Sequence, residues 1–157
     1  MKRPAPRAAR RHLLGVAAVE LGIVLAPLLA ITFGVTEYGR AIYTYNALDK
    51  SVRDAARHLT SVLPTNSDPE TEARNLAVFG NINGTGSPLA PGLTTAMVSI
   101  CNAAACPSTH ASVPTGTGAV NLVTVQITGY TYQSIVTYVA PATLDFSDIS
   151  VTMRSHL

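Results

Sequence analysis

The chain has 157 residues, of which 47% are hydrophobic and only 13% charged; soluble domains usually carry roughly 25% charge, so the shortfall points to a membrane segment or an assembly surface rather than a freely soluble enzyme. The charge is also unevenly placed. Lys2, Arg3, Arg7, Arg10 and Arg11 all precede Leu13, and the remainder holds six basic residues against nine acidic ones, which argues against a nucleic-acid surface in the body of the protein.

The basic cluster reads as the cytoplasmic flank of a membrane span. Leu13 to Thr36 is apolar except for Glu20, and a helix of about 20 apolar residues crosses a bilayer. The basic flank orients it with the N-terminus inside and the bulk of the chain outside. A secretory signal peptide is the competing reading, but its apolar core is usually about 7–15 residues and ends in a small-residue cleavage site. Here the run is longer and continues into helix-like sequence. Pro27 lies within the span and removes one backbone donor, so a kink is open there.

From Glu37 to Leu63 the sequence predicts an amphipathic helix. Tyr38, Ile42, Tyr45, Leu48, Val52, Ala55, Leu59 and Leu63 recur at steps of three or four. Charged residues lie mostly off that stripe, with Asp49–Arg53 and Lys50–Asp54 as i, i+4 pairs. His58 is expected as a solvated residue off the stripe. Pro64 is expected to end the rod. Asp68, Pro69 and Glu70 then predict a short second helix, with Asp68 as N-cap, Pro69 at the first position and Gly80 as C-cap.

The rest is expected to be β-rich. After a loop from Asn81 to Thr95, Ala96 to Cys101 reads as a strand and Cys106 to Gly118 as a loop. Asn121 to Tyr132 is the clearest strand, with Val123, Val125 and Ile127 on one face and Thr124, Gln126 and Thr128 on the other. Ile135 to Val139 is apolar and reads as a strand or a membrane-proximal loop; Ile149 to Met153 reads as a terminal strand. The expected fold class is α+β: a long N-terminal transmembrane and amphipathic helix packed on a small antiparallel sheet. The expected divisions are a basic leader over 1–15, the helix over 16–63 and an extracytoplasmic domain over 64–157.

Chemistry is sparse. Cys101 and Cys106 lack the second pair that a zinc site needs. Outside the cytoplasm a local disulfide is the expectation, with two free thiols as the alternative. The histidines form no metal-spaced pair on one element, Asp145 and Asp148 read as a solvated turn, and no phosphate-binding loop or nucleophile elbow occurs. No enzyme, cofactor or metal is expected. The costly residue is Glu20, because a carboxylate near the middle of a span costs about 2.5–3.5 kcal/mol. It is the fifth residue after Gly15. One reading is a protonated or interfacial glutamate; the other is that a cut between Gly15 and Val16 creates an α-ammonium on Val16, with which neighbouring subunits pair charges inside the bilayer.

That spacing, after a basic leader and before a long apolar helix, resembles the processing region of type IV pilin-like proteins. A longer series sharpens the likeness: Gly15 through Val19-Glu20-Leu21, then Pro27, then Phe33-Gly34 and Glu37-Tyr38-Gly39-Arg40, then Tyr45-Asn46 and Arg53 to Arg57. These segments in order resemble the TadE family. The resemblance implies a minor pseudopilin of the tight adherence (Flp-type) pilus system, acting in adhesion and biofilm formation. By that resemblance Gly15 is the last leader residue, Val16 the mature N-terminus and Glu20 the acid of the fifth position, with a leucine after Glu20 where an aromatic is common. The implied partners are the bacterial inner membrane, a prepilin peptidase, other pilins and pseudopilins, and the pilus assembly platform. The implied location is single-pass in that membrane, with a periplasmic C-terminal domain and the filament as a further destination. The alternative is a permanently anchored extracytoplasmic binding module. A general secretion pseudopilin would usually have an aromatic residue where this chain has Val16.

Overall fold

The computed structural model describes residues 7–61, 68–116 and 118–155. Lys2, Arg3, Leu63 and Pro64, and with them the expected end of the rod, lie outside the described residues, as do the side chains before Gly15. The architecture is α+β, as expected: one long helix packed against small antiparallel sheets.

Helix α1 (Arg7–Ser61) is unbroken through Pro27 and is about 80 Å long at 1.5 Å per residue. It leads two lives. Residues 15 to 33 are exposed throughout. The later half buries Ala41, Leu48, Val52, Ala55, Ala56 and Leu59. Helix α2 (Pro69–Phe79) packs beside it through Ala73, Ala77 and Val78. Its caps follow the sequence signals: the Asp68 side chain accepts from the Thr71 amide, and Gly80 closes the helix at φ 71° with its N–H donating to Leu76. That left-handed conformation is one that glycine adopts without penalty.

The sheet is organised by β3 (Gly118–Ile127). Strand β1 (Val98–Cys101) lies along its Thr124–Ile127 half, and β6 (Ile149–Ser155) pairs antiparallel along Asn121–Ile127, so β1 and β6 flank β3 on opposite sides. Strand β2 (Val113–Thr115) forms a hairpin with the start of β3. Val123, Val125 and Ile127 alternate into the core as the period of two requires, and they meet the later half of α1. Strands β4 (Thr131–Gln133) and β5 (Thr143–Asp145) form a separate hairpin.

Several expectations are corrected. The strand expected to run to Tyr132 stops at Ile127, because Gly129 at φ 68° turns the chain and lets β4 leave for its own sheet. Thr95–Met97 is a 3₁₀ turn leading into β1, and the loop after Cys106 holds a short helix, α3 (Pro107–His110), and β2. Of the two readings of Ile135 to Val139, strand or loop, the structure has the loop, which joins β4 to β5.

Candidate functional site: the uncovered helix and the Glu37 clasp

Gly15, Val16 and Glu20 all lie on the uncovered stretch of α1 and are exposed. A side chain added at Gly15 would meet nothing within 4 Å. Glu20 has no hydrogen-bond or ion-pair partner among the described residues. A carboxylate on an apolar helix is costly in a bilayer unless it is paired or protonated.

The polar centre that the structure does assemble is at Glu37, one residue beyond the apolar run. Its side chain is buried, with 2% of the residue exposed. Tyr132 Oη donates to Oε1 at 2.7 Å and the Ile135 amide to the same oxygen at 3.1 Å. One Arg40 guanidinium nitrogen donates to both oxygens, at 3.0 and 3.1 Å. Donation by Tyr132, followed by the Ile135 amide, holds the Glu37 carboxyl below its ordinary range, although burial works the other way. Burial, then the bond to Glu37, pushes the Tyr132 phenol up. The Arg40 guanidinium stands 5.6 Å from the Tyr132 ring centroid. The other side of this cluster is Phe146, stacked on Tyr132 at 5.9 Å and met edge-on by Tyr45 at 5.5 Å. A glutamate on α1 thus ties the β4–β5 hairpin to the helix where the apolar run ends.

The expected apolar stripe is partly corrected here. Tyr38 and Ile42 are each 59% exposed, while Glu37 and Ala41 face the domain. Leu48, Val52, Ala55 and Leu59 are buried as expected. The reading followed the large side chains, but the hairpin packs closely enough to favour a small residue at 41 and a bonded acid at 37. His58 is likewise not solvated: its Nε2 lies 2.9 Å from Glu72 Oε2, joining α1 to α2. Asp49–Arg53 pairs at 2.9 Å, whereas Lys50–Asp54 is not among the ion pairs of the described residues. The quoted pattern from Phe33 to Arg40 contained Glu37 and Arg40, but nothing in it pointed to Tyr132, 95 residues away.

Cys101 and Cys106 are joined as a disulfide, with Cα atoms 5.6 Å apart. His110 completes a group whose donor atoms lie within 4.8 Å of one another. The disulfide removes the two thiolates that a metal would need. Instead His110 hydrogen-bonds Thr109 and Thr124, fixing the small loop to β3.

Among the described residues one helix is long and apolar enough to cross a membrane, near the N-terminus. Comparison with known proteins gave no match among curated proteins and none among solved structures. The family model described as TadE-like protein matches residues 15–57. That segment begins at Gly15, includes Glu20, Glu37 and Arg40, and ends near the close of α1; over residues 15–57 the chain is TadE-like.

Proposed function

We propose that this chain is a pseudopilin-like, non-enzymatic component of a tight adherence (Flp-type) pilus system, serving adhesion and biofilm formation. It is anchored in the inner membrane by the apolar half of α1, with the basic leader in the cytoplasm and the sheet-bearing domain in the periplasm. A prepilin peptidase cuts after Gly15, and Glu20 then pairs with the α-ammonium of Val16 on a neighbouring pilin or pseudopilin during assembly. The observation that carries this reading is the coincidence of the TadE-like segment with a helix that its own domain leaves uncovered and whose acid has no partner among the described residues. A pilin-type helix must be free to pack laterally on other subunits, and residues 15 to 33 are free in that sense.

The test is intact mass with N-terminal sequencing of the protein made alongside its prepilin peptidase. A terminus at Val16 is expected. An intact leader would favour the second reading, a permanently anchored binding module, for which the unbroken helix through Gly15 is the supporting observation. Proteases generally act on extended backbone, so a helical Gly15 has to unwind before it is cut.

A further inference from the structure

The loop between β4 and β5 is closed by the Ser134 amide donating to Ala142 O at 3.0 Å, and at its tip the Ala140 amide donates to Val136 O at 3.1 Å. From Ser134 to Thr143 it contains no charged residue. Two of its large apolar side chains are nevertheless turned outward: Ile135 is 74% exposed and Tyr138 100%. An apolar cluster held outward on an ordered turn marks a surface that something covers.

The turn's position along α1 identifies the cover. Ile135 is tied to Glu37 through its amide. Val139 Cγ1 lies 3.3 Å from where a Cβ on Gly34 would sit. Gly34 belongs to the apolar run that ends at Thr36, so Val139 sits about 3 Å inside the end of that run at 1.5 Å per residue. The turn therefore extends from the clasp back towards the membrane, to the level where hydrocarbon gives way to headgroups. Tyrosine is enriched at that level, and Tyr38, more than half exposed on the adjoining helix face, lies beside it. Between turn and helix runs an apolar groove bounded by Ile31, Val35, Ile42 and Val139. The groove is continuous with the lipid-facing side of the span.

We propose that the uncharged turn 134–142 enters the outer leaflet as a second membrane contact, with phospholipid covering Ile135, Tyr138 and the groove. The Glu37 clasp sets its depth, and the domain is held to the bilayer at two points rather than swinging on one helix. The proposal rests on the reading of Leu13 to Thr36 as a membrane span.

The chain has no tryptophan, so Tyr138→Trp and Ile23→Trp each give a single reporter, one in the turn and one near mid-span. Each full-length variant is reconstituted into phosphatidylcholine vesicles containing lipid brominated either high or low on the acyl chains. The expected result is loss of Tyr138→Trp emission mainly with the shallow bromines and of Ile23→Trp emission mainly with the deep ones. If Ile23→Trp is quenched and Tyr138→Trp is not, the proposal is overturned and the span stands. If Tyr138→Trp emission is blue-shifted, unquenched and dependent on the protein-to-lipid ratio, a second copy covers the turn and the proposal is likewise overturned. If neither reporter is quenched, the span itself fails and the proposal with it.

Discussion

Glu37 stands where the helix changes from an uncovered apolar rod to the backbone of a domain, and its environment decides its charge. Arg40 alone, half-exposed and three residues on, would be a modest surface partner. The Tyr132 hydroxyl and the Ile135 amide come from a different element and make the carboxylate a tertiary contact. Because Tyr132 holds the folded-state carboxyl below its ordinary value of 4.5, its contribution to stability is complete above that value. It is lost as the pH falls through the depressed folded-state value. Asp68 behaves the same way, held down first by the Thr71 hydroxyl and then by the Thr71 amide, so acid sensitivity alone does not identify the clasp. Tyr132→Phe separates them: it keeps the ring stacked on Phe146 and removes only the donor to Glu37. Thermal unfolding of the full-length chain in detergent, measured at neutral pH and at pH 3–4, should show the variant less stable at neutral pH. The difference should narrow as the pH falls through the depressed folded-state value and the carboxylate that accepts from Tyr132 is lost. A difference that persists unchanged in acid would mean that Tyr132 acts through packing alone.

At the scale of elements, the most legible parts were those where one local rule decides the outcome. The apolar run, the Asp68 and Gly80 caps and the alternation of Val123, Val125 and Ile127 all follow from period or stereochemistry within a few residues. The phase of the amphipathic stripe was legible from Tyr45 onward, where an aromatic and then large aliphatic residues meet the domain. Before that point a bonded glutamate and an alanine face inward and Tyr38 and Ile42 outward, while Tyr45 meets Phe146 of the incoming hairpin. The short strands β2, β4 and β5 carry too few residues for a period to show. Leu48 is fully buried in the core shared by the helices and the central sheet, and truncating such a residue costs about 2–5 kcal/mol. Leu48→Ala should therefore lower the unfolding midpoint of the domain markedly, whereas Ile42→Ala, at a position the sequence placed on the same stripe, should change it little. Equal losses in the same thermal scan would restore the stripe as first read.

Across the whole molecule, one length of α1 builds the domain and another is left uncovered by it. Residues 41 to 59 supply the wall against which the sheet and α2 pack, while 15 to 33 are exposed throughout. Substitutions in the two stretches should therefore fail in different ways. Gly15→Ala adds one methyl into open space, and Glu20→Ala removes a side chain without a partner among the described residues, so neither touches a packed surface of the domain. Removing Glu20 also relieves the span of a carboxylate, which favours membrane insertion. Both variants should accumulate to normal levels with an unchanged unfolding midpoint, yet cells carrying either should lose surface pili. Electron microscopy of the cells, alongside thermal scans of the purified variants, reads both quantities. Normal pili with Gly15→Ala would remove leader cleavage from the assembly route, and normal pili with Glu20→Ala would remove Glu20 pairing. Lost pili with a lowered midpoint would instead trace the defect to folding, contrary to the separation that the uncovered helix implies.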